Sequence, residues 1–146
     1  VGTFEATTFH DLVSAYGGTR SSLSISRPFA DTGKWSILPR FFVKHYSEKF
    51  NNYYYRVTQA EQDVGLDLAL RRDNTSANDY NDIRPVYAPG NSGHVGAELN
   101  IDYNFSEHLV GVAYIGIEKF SGEIETSPLV EDKELVTTSL GFRYNF

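Results

Sequence analysis

The side chains best suited to chemistry in this sequence are charged or amide groups at every second position of apolar segments. A charge buried without a partner is costly, so cations and acceptors on facing segments are expected to pair in a shared interior. We interpret them as salt bridges that fill a small barrel; the alternative is the lining of a selective pore. The candidates are the cations Arg40, Lys44 and Arg143 and the acceptors Glu98, Asn100 and Asp102.

Patterns typical of catalytic and metal sites are missing from the sequence. The four histidines, at positions 10, 45, 94 and 108, lack the spacing of metal ligands, and there is no cysteine. The sequence also has no nucleophile elbow and no phosphate-binding glycine loop. We therefore predict no catalytic residue, no cofactor and no metal site.

The overall charge is acidic, with a formal net charge of -6, which argues against a nucleic-acid surface. Several acidic side chains gather near the end of the sequence. We interpret this cluster as a solvated loop; the alternative is a site that gathers divalent cations beside lipopolysaccharide. Its members are Glu123, Glu125, Glu131, Asp132 and Glu134.

Residues Val136–Phe146 alternate most clearly between apolar and polar side chains. Their even positions are apolar or aromatic except Thr138, and their odd positions are polar or small. A period of two indicates a β-strand, and the length fits the roughly 9–11 residues that a tilted strand needs to cross a bilayer. We predict that Ser139 and Arg143 face an interior. The residues predicted to face lipid are Val136, Leu140, Phe142, Tyr144 and Phe146.

Five further segments are predicted to be strands: Phe4–Asp11, Arg20–Phe29, Lys34–Tyr46, Val95–Phe105 and His108–Phe120. Ala30–Gly33 has the length of a hairpin connection. Pro39 cannot donate to a ladder, so we expect a bulge or a local gap there. No run of 18 apolar residues exists, which argues against a transmembrane helix. The ten tyrosines fit the aromatic belts of membrane interfaces.

The segment Ser47–Gly93 is predicted to be a long irregular loop. Within it, Thr58–Glu61 has the pattern of a capping box, which favours a helix. The alternating residues that follow favour a strand at Gln62–Arg71 instead, with a possible partner at Asn81–Tyr87. Both interpretations remain open. Arg71–Asp82 is rich in Asn and Asp, which is typical of loops.

The connections sort by length. Ala30–Gly33 and Ser106–Glu107 are short and fall at one end of the strands, whereas Ser47–Gly93 and Gly122–Glu134 are long and fall at the other. This sorting predicts an all-β, antiparallel, up-and-down transmembrane β-barrel of the outer-membrane type. About six strands are too few to close such a barrel. We therefore expect residues 1–146 to be the C-terminal part of a single barrel domain, an open sheet whose first and last strands do not pair.

With these elements placed, the sequence resembles the MltA-interacting protein (MipA) / OmpV family of outer-membrane barrels. The resemblance is carried by a tyrosine run, a Ser-Pro-Leu loop and the final strand, Gly141–Phe146. Arg56 stands where the family usually has glycine, and the sequence around Asp63–Asn81 is additional. The motif residues are Tyr53, Tyr54 and Tyr55 with Ser127, Pro128 and Leu129.

The resemblance implies a non-enzymatic protein of the outer membrane of a Gram-negative bacterium. Family members are described as scaffolds that link a lytic transglycosylase to a murein synthase, or as surface or permeability proteins. Other expected partners are membrane lipid, lipopolysaccharide and the barrel-assembly machinery, which would recognise Phe142, Tyr144 and Phe146. The alternative is a soluble calycin-like barrel that binds a small apolar ligand. Such a barrel would need its apolar residues inside and its polar residues outside.

Overall fold

The computed structural model describes residues 2–11, 17–31, 33–72 and 84–146. These residues form an antiparallel sheet and three helices. The strands are β1 (Thr3–His10), β2 (Thr19–Ser26), β3 (Ala30–Asp31), β4 (Trp35–Tyr46), β5 (Ser92–Asn104), β6 (Leu109–Lys119) and β7 (Glu134–Tyr144). The helices are α1 (Glu48–Tyr55), α2 (Gln59–Arg72) and α3 (Gly122–Glu125).

The strands follow one another in the order β1-β2-β4-β5-β6-β7, and the short β3 pairs with β4. Every pairing is antiparallel, and each strand of this order pairs with the next one in it, which confirms the predicted all-β, up-and-down class. Among the described residues no ladder joins β1 to β7, so the sheet is open, as expected. None of the helices in the described ranges is long and apolar enough to cross a membrane.

The sheet is interrupted opposite Pro39, where a gap was predicted. The ladder between β4 and β5 runs past Pro39 without a break. On the other side of β4, β2 ends at Ser26 and β3 begins at Ala30, because Pro39 has no N–H to donate there. The prediction that Ala30–Gly33 is only a connection was therefore wrong, since Ala30 pairs with Ile37.

The segment predicted to be one irregular loop, residues 47–93, was also corrected by the structure. It contains α1 and α2, and β5 begins at Ser92 rather than Val95. The capping box forms: the Thr58 N–H donates to Glu61 Oε2 at 2.7 Å, and the Glu61 N–H donates to Thr58 Oγ1. Helix α2 follows, so of the two interpretations left open for this segment the helix is confirmed and the strand at residues 62–71 is excluded.

The partner strand predicted at residues 81–87 lies partly outside the described residues, as does the loop predicted at residues 71–82. Residues 71 and 72 belong to α2, which corrects the start of that loop. Tyr87 forms an isolated antiparallel bridge with Val57. The acidic segment 122–134 begins with the short α3.

Strand register gives the sheet an apolar face and a polar face. Phe41 pairs with Ile25 and Ala97 on the first, and Arg40 pairs with Ser26 and Glu98 on the second. Buried residues such as Ser24, Phe42, His94 and Val110 all lie on the polar face. The large side chains of the apolar face are exposed, to 85% at Leu140. The polar face is therefore the more enclosed side of the sheet.

Candidate functional site

The polar face carries the charged residues that the sequence singled out, and most of them are paired. Arg40 contacts Glu98 at 3.3 Å and Glu5 at 3.5 Å. Arg143 donates to Asp102 at 3.0 Å. The register also places Asn100 on this face, opposite Leu38 and Tyr114. Sequence reasoning missed Glu5, although its alternation with Phe4 and Ala6 was a usable signal.

Two of these ion pairs run along the wall of the sheet and skip a strand. Arg143 on β7 reaches Asp102 on β5 across β6, and Arg40 on β4 reaches Glu5 on β1 across β2. The backbones of strands two positions apart are separated by roughly twice the 4.7–4.9 Å strand spacing. Side chains span that separation most easily when the sheet curls toward them. The pairs therefore mark the polar face as the concave one.

A half-buried cluster at the helical end of this face centres on Glu118. Its Oε2 accepts from Lys44 Nζ at 2.5 Å, and its Oε1 lies 2.9 Å from His94 Nδ1. His94 Nε2 lies 3.4 Å from Ser92 Oγ. Sequence reasoning predicted Lys44 to be in the interior but missed Glu118 and His94. The alternation of Ile117, Glu118 and Lys119 was the signal that could have placed Glu118.

The order Glu118, His94, Ser92 is that of a hydrolytic triad, but the serine is closed off. Ser92 is 3% exposed, and its hydroxyl bonds to both the amide nitrogen (3.0 Å) and the amide oxygen (3.3 Å) of Asn51. A nucleophile must reach its substrate. The cluster is therefore arranged to hold Asn51 and the helix that carries it.

Helix α1 lies over the rim of the polar face. Its N-cap is Ser47, whose side chain accepts from the Phe50 N–H and from the Thr19 N–H of β2. Asn51, with 0% exposure, donates to the Gly90 carbonyl at 2.7 Å. A stack of rings continues from the wall into the helix, with centroids 4.5–4.9 Å apart: Phe120, His94, Tyr46, Phe50 and Tyr54.

The two family-motif segments meet beside α1. Ser127 is buried and donates from its hydroxyl to the Tyr55 carbonyl at 3.0 Å. Burial raises the pKa of Tyr55 above its ordinary value, and the Glu118 carboxylate adds to this. Pro128 and Leu129 line a cleft of about 600 Å³. The remaining motif residues, Tyr53 and Tyr54, are exposed.

Arg56, which stands where glycine was expected, closes α1 without strain. Its φ of -75° and ψ of 143° are extended backbone, which any residue can adopt. Arginine at this position therefore causes no backbone strain.

Aromatic residues form a belt on the apolar face at the end with short connections. The ring centroids of Trp35 and Tyr103 lie 4.5 Å apart, Tyr103 meets Phe105 edge to face at 4.8 Å, and Phe105 lies 6.1 Å from Phe142. The Phe105 ring occupies the space over Gly111, where a Cβ would come within 2.8 Å of it. Tyr144 and Phe146 extend the belt with an edge-to-face contact at 5.2 Å.

Comparison with known proteins agrees with this architecture. The sequence matches the family described as MltA-interacting protein MipA over residues 1–146. It is 30% identical over 132 residues to the 24 kDa outer membrane protein of Pasteurella multocida (strain Pm70), covering 88% of this chain and 44% of that protein. It is 26% identical over 145 residues to the putative outer membrane protein YiaT of Escherichia coli (strain K12), covering 99% and 52%.

The chain spans about half the length of the curated relatives it matches. No solved structure matches it.

Proposed function

The chain belongs to the MltA-interacting protein MipA family, and from that premise we propose that it is part of a non-enzymatic outer-membrane barrel that scaffolds murein enzymes. It is an outer-membrane protein, as its relatives are named. The observation that carries the proposal is the exposed apolar face opposite an enclosed, ion-paired polar face. This arrangement of the two faces suits a barrel with lipid outside and polar groups inside. A soluble calycin-like barrel would need the reverse.

The open edges support a larger barrel that includes this chain. The free sides of β1 and β7 present N–H and C=O groups that would cost several kcal/mol each if left unpaired in hydrocarbon. The curated relatives are about twice as long as the matched region. We infer that residues 1–146 form the C-terminal part of one barrel domain, that strands elsewhere in the same protein pair with both edges, and that residues 47–93 form an external loop with its helices.

The aromatic belt supports an orientation in the membrane. Trp and Tyr concentrate at the level of the headgroups. The belt of Trp35, Tyr103, Phe105 and Phe142 therefore lies at one membrane interface. Because the connections at this end are short, we infer that it is the periplasmic interface and that α1–α3 lie at the outer surface beside lipopolysaccharide. Phe142, Tyr144 and Phe146 are the residues offered to the barrel-assembly machinery.

A scaffold for murein enzymes must present its contact surface in the periplasm. The name of the family describes interaction with MltA. We propose this lytic transglycosylase and a murein synthase as the two partners. In the described part of the chain, the periplasmic surface includes the turn between β5 and β6. Glu107 is exposed in that turn. The N–H groups of Phe105 and Ser106 donate to the Leu109 carbonyl and close the turn.

Site-specific cross-linking in cells tests the proposal. A photoreactive amino acid is placed at Glu107 in the full-length protein, and a matched one at exposed Tyr53 on α1. We expect the lytic transglycosylase to be captured from position 107 and not from position 53. Capture from position 53 alone, or from neither position, contradicts a scaffold acting through the periplasmic end.

A further inference from the structure

We propose that the polar face lines a water-filled channel for small hydrophilic solutes, and that α1 is the plug that closes it at the outer mouth. The proposal rests on the barrel of the proposed function and adds conduction and closure to it. It follows from the way side chains lie on the wall and from the contacts of α1.

Large side chains of the polar face lie flat on the wall instead of extending into the lumen. Phe42 covers its cross-strand partner Gly96 so closely that no Cβ would fit there. Tyr114 lies in the same way along its own strand, over Gly116. Glycines therefore receive the rings within the thickness of the wall, and the axis of the lumen is left clear along this half.

Charged side chains are satisfied within the wall as well. Arg40 pairs with Glu5 and Glu98, and Arg143 pairs with Asp102, all on the same curled sheet. None of these pairs needs a partner across the lumen. Hydroxyl groups cover much of the remaining surface, and Thr7 and Ser22 bond to each other at 2.5 Å. A wall of paired charges and hydroxyls favours water over a packed core.

Helix α1 occupies the rim of this wall on the lumen side. Its Phe50 stacks on Tyr46 and its Asn51 bonds to Ser92, and the register places both Tyr46 and Ser92 on the polar face. The helix follows β4 directly, and these two contacts hold it inward over the mouth. This position closes the channel without filling it.

Asn51 is the latch of the plug. Its amide bonds to Gly90 and Ser92, and Ser92 leads through His94 to Glu118 and Lys44 in the wall. The neighbouring Asn52 has no such role, because its buried Oδ1 has no hydrogen-bond partner among the residues that the structure describes. Opening requires the Asn51 hydrogen bonds to break. Substitution of Asn52 removes fewer hydrogen bonds.

The experiment measures ion conductance of the full-length protein in planar bilayers, with heat-modifiable gel mobility as the check of folding. Asn51→Ala is compared with the matched variant Asn52→Ala. Loss of the latch should raise the open probability about tenfold, which corresponds to about 1.4 kcal/mol of closing free energy. That is the size of one or two hydrogen bonds. Asn52→Ala should behave as the wild type.

A second variant replaces residues 48–55 by a Gly-Ser linker of equal length, and it should conduct continuously. A folded Asn51→Ala or linker variant with wild-type conductance overturns the plug, and so does a wild type that is already open. If neither variant folds, α1 is a structural part of the barrel and the plug is again wrong. Failure of the wild type to insert into bilayers would instead contradict the barrel itself.

Discussion

Lys44 on β4 and Glu118 on β6 form an ion pair of 2.5 Å although β5 lies between their strands. Gly96 of β5 is the cross-strand partner of Glu118 and adds no side chain between them. His94 holds the second oxygen of the same carboxylate. The pair therefore joins three strands and the α1 latch through one half-buried carboxylate.

Replacing this carboxylate should destabilise the barrel more than replacing an exposed one. Glu118→Gln leaves the Lys44 ammonium without its counter-charge, and we expect a loss of about 1–3 kcal/mol in the free energy of unfolding. Asp102→Asn is the matched control, because both Asp102 and Arg143 are more exposed; we expect about 0–1 kcal/mol there. Urea unfolding of the full-length protein in lipid vesicles measures both. Equal losses would contradict the role assigned to Glu118.

Gly111 should be the sensitive glycine of the aromatic belt. A Cβ at Gly111 would come within 2.8 Å of the Phe105 ring, whereas one at Gly141 would meet only Val112 at an ordinary 3.6 Å. We expect Gly111→Ala to cost about 1–3 kcal/mol by overpacking and Gly141→Ala to be close to neutral. Unfolding in vesicles measures the difference, and tryptophan fluorescence reports on Trp35. A neutral Gly111→Ala would mean that the ring is not held over the glycine.

The start of α2 should loosen at acid pH. The Thr58 N–H and hydroxyl bind the Glu61 carboxylate and hold its pKa below the ordinary value. A lowered pKa in the folded state means that the stabilisation is present above the ordinary carboxyl pKa and is lost as the pH falls through the lowered one. The hydrogen-exchange protection factor of the Thr58 amide should therefore decrease in that range. In Glu61→Gln it should not, and the same decrease in both proteins would refute this assignment.

The strands could be predicted from the sequence because a sheet with one apolar and one polar face needs opposite chemistry at alternate residues. Val136, Leu140 and Phe142 share one face and Arg143 lies on the other, as the alternation in the sequence indicated. The ion-pair partners were harder to predict. Alternation along a strand assigns each side chain to a face, but it does not show which residues of other strands lie within reach. Glu118 reaches Lys44 across β5, where the Phe42 ring fills the space over Gly96 and lies beneath the Lys44 ammonium.

The helices show where local pattern was ambiguous. The alternating Val64 and Leu68 favoured a strand, yet both are exposed on α2. Their alternation does not reflect a buried face, so the hydrogen bonds of the capping box at Thr58 and Glu61 decided the structure. Helix α1 had a usable signal in Ser47, whose side chain caps it. Its position over the rim depends on Asn51, whose contacts are distant in sequence.

The central claim is that the apolar face meets lipid and the polar face meets a lumen. The most direct measurement compares Leu140→Arg with Ser139→Arg in the full-length protein, by the free energy of unfolding in lipid vesicles. The two residues are neighbours on β7 and lie on opposite faces. Leu140→Arg should cost roughly 2–4 kcal/mol and Ser139→Arg clearly less. Equal costs, or a larger cost at Ser139, would contradict the assignment of the two faces.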